Sequence, residues 1–525
     1  MDDLKLFLED VICKKRFYLP LLFFSIVGYS FSIYNRTISI DSLMDHIYLD
    51  DNYMLSGRWG MVFGVKLMGT ANAVPFLDRF LALALLVMAA VLLCYVLYSV
   101  GRNKNVLPYT ITASVFITYP LINEIWEYTG ADYMVGGNLS LVTVAFIILK
   151  ESSFYTLLWK RCMVASALIL LPISSYETAI FYYFTLVCCA IFYENVICRD
   201  TSIDLRKWLK LVCYYAIPVI IAVVARFVIS FAINIIYGLQ YHGGGAVSIL
   251  WLENGFLQSL KCMIVFNMVN YGLYGLVYFP ITIFVISLVV FLLYVLKDNR
   301  KKTFMLGCVI VISLFSQSII QGYELSYRHA QTITLFVAFV TYLICISVKK
   351  KKYVFLSAVL FFLCWHQAVY LNRILGLNNL RSENELAAIR QIGSRIISEY
   401  ERKPVVLVSQ YPMSDYIQGQ VSVDESKWNG KLFLTIYDKI TIHNRPFRYV
   451  GNCQSASWEH YQVQELFRYC GYDITILPNL WTDGENGAVI LAEAVRIAKR
   501  QNMKPYQIYD NDNYLVVTLG NDYYI

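Results

Sequence analysis

The stretch FLDRFLALALLVMAAVLLCYVLYSV, residues Phe76–Val100, decides the fold class of this chain. A helix rises 1.5 Å per residue, so about 20 apolar residues cross the roughly 30 Å hydrocarbon core of a bilayer. The stretch meets this requirement, and its two charged side chains both lie near its start. It therefore predicts a helix that spans a membrane.

Similar apolar runs occur throughout the first 371 residues. The chain is 58% hydrophobic and 15% charged, with a mean hydropathy of +0.52, which excludes an ordinary soluble protein. We predict a polytopic α-helical membrane protein with about 11 transmembrane helices. Pro172 falls inside the fifth of them and predicts a broken helix. The predicted spans are Phe17–Tyr34, Phe76–Val100, Val106–Leu121, Met134–Leu149, Cys162–Ile173, Ala179–Val196, Leu209–Tyr237, Gly275–Leu296, Thr303–Ile320, Ala330–Val348 and Tyr353–Leu371.

Basic residues indicate the orientation of the bundle. Of the 28 Lys and Arg before residue 372, 21 fall in the N-terminal segment and in alternate loops. Because short cytoplasmic loops carry an excess of Lys and Arg, the N-terminus is predicted to be cytoplasmic and the C-terminus extracytoplasmic. The net charge of +7 is thus a topology signal and not the signature of a nucleic-acid partner, since the tail from Asn372 has 16 basic and 17 acidic residues.

The pattern changes after residue 371, which predicts two domains: 1–371 in the membrane and 372–525 outside it. Helical periodicity at Glu383–Tyr400 is followed by a short apolar run at Pro404–Val408. Further helical and strand patterns alternate along the tail, and such alternation is typical of a compact α/β domain. The later segments are helical at Tyr461–Tyr469 and Ala488–Lys499 and strand-like at Asp473–Leu477 and Tyr514–Thr518.

Cysteine spacing gives no metal motif such as CxxC, so neither a metal nor a cofactor is expected. Eleven of the 13 cysteines lie in or beside the membrane region. The two in the tail, Cys453 and Cys470, form a candidate disulfide because an oxidising compartment would let them pair.

The first outer loop, residues 35–75, carries DSLMDHIYLDDNYMLSGRWG from Asp41 onward. Its adjacent carboxylates Asp50 and Asp51 are the candidate catalytic residues, because a carboxylate can remove the proton of an acceptor hydroxyl. Charged residues also simply keep loops solvated, and that reading stays open.

Arg58, Arg226 and Arg328 are candidate ligands of a donor phosphate, since a guanidinium can bind phosphate through two hydrogen bonds. Arg226 lies within the seventh predicted span and Glu177 between the fifth and sixth. An ionisable residue at membrane depth faces a cavity or a partner, so a structural ion pair between the two is an equal alternative.

Other polar and aromatic residues near the outer face are candidates for binding the acceptor or another part of the substrate. Carboxylates suit sugar hydroxyls, and Trp59 suits a sugar ring or the headgroup region. These candidates are Trp59, Glu127, Asp132, Glu177, Tyr323 and Glu324.

Several of these features together resemble the Gtr-type serotype-converting O-antigen glucosyltransferases, which are bacterial and phage membrane enzymes. They are DD followed by GRW in the first outer loop, SYET at the start of a span, an outer arginine after a late span, and KPYQIYDNDNYLVVTLG near the end of the tail. The resemblance implies a GT-C-like architecture in the bacterial inner membrane. It also implies transfer of glucose from a polyprenyl-phosphate donor to O-antigen or a similar surface polysaccharide in the periplasm.

The resulting prediction is an inverting glycosyltransferase whose partners are the lipid-borne donor, the polysaccharide acceptor and the bilayer. A separate flippase and a polyprenyl-phosphate sugar synthase are further candidate partners. A transporter or flippase of lipid-linked sugars, or a polysaccharide polymerase, remains the alternative. The one-sided acidity and the long tail favour the transferase, as does the lack of an inverted repeat in the sequence.

Overall fold

The structure is a computed structural model of the full chain. It describes residues 2–35, 54, 57–69, 75–122, 126, 132–151, 158–198, 205–237, 255–271, 279–298, 300–322, 325, 329–348, 352–400, 403–409, 459–477 and 480–520. Most of these residues are helical, and a small sheet lies near the C-terminus.

Helices account for the described part of the first 371 residues. Two of these helices continue as π-helical turns, at Leu8–Ile12 and at Tyr193–Cys198. The helices are α1 (Asp2–Phe7), α2 (Lys15–Tyr34), α3 (Trp59–Met68), α4 (Pro75–Gly101), α5 (Val106–Thr118), α6 (Asp132–Lys150), α7 (Leu158–Ser175), α8 (Thr178–Phe192), α9 (Leu205–Tyr237), α10 (Phe256–Tyr271), α11 (Phe279–Lys297), α12 (Lys301–Leu314), α13 (Ser316–Gln321), α14 (Gln331–Ser347) and α15 (Tyr353–Glu399).

Within the described residues, 7 helices are long and apolar enough to cross a membrane, by length and composition. The protein is therefore a polytopic helical membrane protein. The other predicted spans fall on the shorter helices α5, α6 and α14 and on the pair α12 and α13, which is interrupted at Phe315. The count of eleven spans stays a prediction.

Two details of the predicted spans differ in the structure. Pro172 does not break the fifth span, because α7 runs without interruption from Leu158 to Ser175 and the proline lies in its last turn. The short helices α3 and α10 lie outside all of the predicted spans. A run of ten residues such as α3 is too short to signal a span.

Small residues and buried hydrogen bonds join the helices. A Cβ added to Gly136 of α6 would lie 2.3 Å from the backbone nitrogen of Leu86 in α4, so the two helices touch backbone to backbone at this glycine. Thr118 of α5 donates a 2.8 Å hydrogen bond to Gln367 of α15. These contacts join α4 to α6 and α5 to α15.

The bundle has two ends, distinguished by the elements that meet there. At the first, α1 is fastened to α4 by a 2.7 Å hydrogen bond from Tyr98 to Asp10 and by a 2.8 Å ion pair between Arg102 and Asp3. At the opposite end α2 ends and α3 and α4 begin. We call this second end the site end.

The last helix of the bundle, α15, is 47 residues long, about 70 Å at the usual rise. It starts in the bundle and ends in the tail, where Ile389, Ile392 and Ile396 join an apolar core. The predicted domain boundary after residue 371 lies inside this helix. A single helix therefore links the membrane region to the tail.

The described part of the tail contains a four-stranded sheet. Its strands are β1 (Val405–Leu407), β2 (Ile476–Leu477), β3 (Ile508–Asp510) and β4 (Leu515–Val517), in the order β2-β1-β4-β3. Strand β1 is parallel to β2 and β4, while β3 and β4 are antiparallel.

Helices cover both faces of this sheet. The helix α16 (Glu459–Tyr469) and the end of α15 pack on one face, and α17 (Leu480–Arg500) packs on the other. Alternate residues of β1 explain this, because Val405 points into the first core and Val406 into the second.

Candidate functional site

A two-residue turn between α7 and α8 places a carboxylate at the site end. Tyr176 and Glu177 form this turn, and the backbone nitrogen of Tyr176 donates to the carbonyl of Pro172 at 2.8 Å. Glu177 precedes the first residue of α8, and its side chain is 15% exposed. The SYET sequence thus forms a tight helical hairpin with an acidic residue at its tip.

Arg226 of α9 pairs with this carboxylate. Its Nη2 atom lies 2.6 Å from Oε1 of Glu177, and its side chain is 12% exposed. A charge within an apolar helix is costly unless it has a partner, and Glu177 supplies one. Of the two readings of this pair that the sequence leaves open, the ion pair is therefore present in the structure.

Arg58 approaches the same carboxylate from a third element. Its Nη2 atom lies 3.6 Å from Oε2 of Glu177. Gly57, immediately before it, has φ +69°, a left-handed conformation that glycine adopts without strain. The Gly57 carbonyl accepts a 3.5 Å hydrogen bond from Nη2 of Arg226. Both arginines therefore converge on Glu177.

Gly60 explains how the GRWG sequence can lie there. A Cβ at this position would be 2.8 Å from the carbonyl oxygen of Leu171 and from Cβ of Ser174. The first turn of α3 can therefore lie against the last turns of α7 only because residue 60 has no side chain. This contact places Arg58 beside the turn that carries Glu177.

An aromatic ring lies beside Arg58, and a second ring contacts the first. The Arg58 guanidinium lies 5.5 Å from the centre of the Tyr176 ring, within the range of a cation–π contact. The ring of His329, just before α14, lies 5.6 Å from that of Tyr176. The segment that precedes α14 therefore reaches the site.

Two buried polar atoms of the consecutive residues Arg58 and Trp59 have no hydrogen-bond partner within the described part of the chain. They are Nε of Arg58 and Nε1 of Trp59, and both atoms are buried. Buried donors without a partner are costly, so a ligand that accepts hydrogen bonds would be stabilised beside them.

The electrostatics of the cluster favour an anion. Two guanidiniums and one carboxylate leave a net charge of +1 on three side chains that are mostly buried. Guanidiniums suit phosphate and carboxylate groups, and low exposure strengthens the attraction. We call Arg58, Glu177 and Arg226 the arginine site.

The arginine site and its neighbour Trp59 include four of the predicted residues: Arg58, Trp59, Glu177 and Arg226. Glu177 is engaged by both arginines, so it acts here as their counter-charge, and its predicted contact with the acceptor stays a prediction. Asp132 begins α6, but its side chain is outside the described set. The remaining predicted residues also lie outside the described residues and keep their status as predictions: Asp50, Asp51, Glu127, Tyr323, Glu324, Arg328 and Cys453.

Of the two cysteines in the predicted tail disulfide, the structure describes Cys470. Cys470 is a free thiol with respect to the described cysteines, and burial raises its pKa against the opposing effect of nearby Arg390. The pairing with Cys453 stays a prediction. Within the described ranges, no three His, Cys, Asp or Glu side chains form a group that could hold a metal ion.

The sequence analysis did not assign Tyr176 or His329 to the site, although Tyr176 is part of the SYET sequence. It also missed Asp78 and Arg79 at the start of α4, which are 2% and 5% exposed. The Arg79 guanidinium lies 5.8 Å from the ring of the buried Trp126. A charged pair at the start of an otherwise apolar span was the available signal.

A bundle of apolar helices with two arginines and one carboxylate clustered at one end defines a polytopic membrane protein. Residues 30–321 match the family model described as glucosyl transferase GtrII. The chain therefore belongs to the GtrII glucosyl transferase family, and its role is that of a glycosyltransferase. The matched region contains the arginine site, whereas His329 and the tail lie beyond it. No curated protein and no solved structure matches the chain.

Proposed function

We propose that this protein transfers glucose from a polyprenyl-phosphate donor to a surface polysaccharide such as O-antigen, on the periplasmic side of the bacterial inner membrane. One observation carries the proposal. In a chain of the GtrII family, Arg58 and Arg226 converge on Glu177 at the same end of an apolar bundle. That arrangement suits a phosphate group attached to a lipid.

Charge matching supports the donor class. A glucosyl polyprenyl phosphate is a phosphodiester with one negative charge, which equals in size the +1 of the arginine site. When the sugar leaves, polyprenyl phosphate gains a second negative charge. The two guanidiniums then stabilise the leaving group more strongly than the donor, which lowers the barrier to transfer.

Apolar surface beside the arginine site supports a lipid chain. Both α3 and α9 pack against α7. Each exposes large apolar side chains, among them Phe63 and Leu67 on α3 and Phe227 and Phe231 on α9, all more than half exposed. In a membrane these faces meet acyl chains, and the prenyl chain of a bound donor would lie along them with its phosphate at Arg58 and Arg226.

The reaction needs a base for the acceptor hydroxyl. Asp50 or Asp51 would remove its proton while the hydroxyl oxygen bonds to the anomeric carbon. The bond from that carbon to the phosphate oxygen breaks, and polyprenyl phosphate leaves with the electron pair. A single displacement of this kind inverts the anomeric configuration. Glu177 is a poor candidate for this base because it is held between two arginines.

Mass spectrometry of the surface polysaccharide tests the proposed function. Cells that express the protein should add one hexose per modified repeat, and cells with Arg58→Ala and Arg226→Ala together should not. An unchanged repeat in cells that carry the wild-type protein in their membranes, together with the donor and a suitable acceptor, would show that the proposed reaction is wrong.

A second experiment tests the base. Asp50→Asn and Asp51→Asn remove one carboxylate each, and we expect one of them to abolish transfer at normal expression. Asp41→Asn is the matched control, because it makes the same change in the same loop. Full transfer by both variants would reject the assignment of the base without affecting the donor site.

A further inference from the structure

The segment between α13 and α14 connects the arginine site to a helix that the reaction scheme does not use. Helix α13 is followed by Gly322 at φ +72°, and α14 begins at Gln331. Leu325 and His329 lie between these points, and Leu325 is 1% exposed. Leu325 lies four residues before His329, whose ring contacts Tyr176.

Two side chains of α10 hold the backbone of Leu325 from both sides. The Leu325 nitrogen donates to Oδ1 of Asn267 at 3.0 Å, and the Tyr271 hydroxyl donates to the Leu325 carbonyl oxygen at 2.8 Å. Asn267 and Tyr271 are four residues apart and therefore lie on the same face of the helix. Tyr271 is 3% exposed, so water competes little for its hydrogen bond.

Asn267 also fastens α10 to α13. Its Nδ2 atom donates to Oγ of Ser318 at 2.6 Å and to the Met263 carbonyl at 2.8 Å. The amide group thus uses its oxygen and both of its hydrogens, an arrangement that fixes its orientation.

The far end of the segment is fastened next to Glu177. Thr178 of α8 donates to Oε1 of Gln331 at 3.2 Å. Between the two attachments the His329 ring contacts Tyr176, whose ring also lies beside the Arg58 guanidinium. Leu325 and His329 are only four residues apart in the chain, so the backbone that α10 holds belongs to the same short connection as the ring that contacts Tyr176.

We propose that Asn267 and Tyr271 are positioning residues for the donor phosphate: they fix Leu325 and thereby hold His329 against Tyr176 beside Arg58. The inference rests on the proposed function, because it assigns these residues to the same binding site. Neither residue touches the donor in this scheme. Loss of either contact weakens phosphate binding by letting one wall of the site move.

Tyr271→Phe is the test, because it removes one hydroxyl and leaves the buried ring. The readout is the binding of tritiated farnesyl phosphate to the full-length protein in nanodiscs. Loss of one buried hydrogen bond predicts binding that is about three- to tenfold weaker. Asn267→Leu, similar in size, should have at least as large an effect, and Tyr271→Phe remains informative if that variant does not fold.

Tyr214→Phe is the matched control. The Tyr214 hydroxyl also donates to a backbone carbonyl, that of Leu149, at 2.5 Å, but at the opposite end of the bundle. The control should bind farnesyl phosphate as the wild type does. If Tyr271→Phe and Tyr214→Phe lower the unfolding temperature equally and bind the probe equally, Tyr271 has a structural role only and the inference is wrong.

A double mutant separates positioning from general stability. Because Tyr271 acts through the segment that carries His329, Tyr271→Phe should add little to the effect of His329→Ala. If the two fold-changes in affinity multiply in the double mutant, the inference is wrong. If the wild type binds the probe and Arg226→Met does not, while Tyr271→Phe binds normally, the inference fails and the donor site stands. If Arg226→Met binds as tightly as the wild type, the donor site itself fails.

Discussion

Replacement of Arg226 by methionine should nearly abolish glucosyl transfer while the protein stays folded. Methionine suits an apolar helix and fills much of the space that arginine leaves. The change removes a hydrogen bond of 2.6 Å to a carboxylate that is 15% exposed. Breaking a buried ion pair costs about 3–5 kcal/mol when no other partner remains. Glu177 keeps Arg58 at 3.6 Å, so we expect a loss of about 1.5–3 kcal/mol in stability.

The same substitution should also weaken binding of the donor. The net charge of the arginine site falls from +1 to zero, and one charge-assisted hydrogen bond to the phosphate is lost. At about 1.5–3 kcal/mol this corresponds to roughly 10- to 150-fold weaker binding. Arg226→Lys keeps the charge but not the paired hydrogen bonds and should fall between the wild type and the methionine variant.

The assay measures transfer of radiolabelled glucose from undecaprenyl-phosphate glucose to the acceptor polysaccharide, with the protein reconstituted in vesicles. Arg161→Met is the control, because Arg161 donates a 3.3 Å hydrogen bond to the Leu149 carbonyl, far from the arginine site. It should transfer at the wild-type rate. Wild-type transfer by a folded Arg226→Met would refute the role given to this arginine.

Three further predictions concern the packing of α3, the tail thiol and the topology. Gly60→Ala places a Cβ 2.8 Å from the Leu171 carbonyl, so it should cost about 1–3 kcal/mol and lower transfer. Gly137→Ala, whose nearest contact is 3.6 Å, should be tolerated in the same thermal unfolding and transfer assays. Because burial raises the pKa of Cys470, less thiolate is present at pH 7. Maleimide should label this thiol slowly at pH 7 and faster as the pH rises. Rapid labelling at neutral pH would contradict its burial. A non-reducing peptide map would show whether Cys453 is bound to it. Protease added outside spheroplasts should cleave the tail, and cleavage confined to inverted vesicles would reverse the orientation.

The membrane class could be predicted from the sequence because length and apolarity are local properties. Phe76–Val100 needs no knowledge of its neighbours to be recognised as a span. The short helix α3 could not be predicted in the same way, since it is stabilised by a contact between Gly60 and α7 that only the folded bundle provides. The continuity of α15 was also hidden, because composition changes near Asn372 while the helix does not end there.

The arginine site could likewise be predicted only in part from the sequence. A charged residue in a span requires a partner, and this rule alone makes an ion pair between Arg226 and Glu177 a reasonable alternative. That Arg58 joins the pair depends on how three elements pack, and no spacing in the sequence encodes it. Tyr176 and His329 are brought together by the hairpin of α7 and α8 and by the start of α14.

The most direct measurement is photo-crosslinking of a farnesyl-phosphate glucose that carries a diazirine next to its phosphate. Peptide mapping should recover label on the peptides that contain Arg58 and Arg226, and unlabelled undecaprenyl-phosphate glucose should compete it away. The assignment of the donor phosphate to this site would be contradicted if the unlabelled donor competes away label on other peptides and no label is found at either arginine.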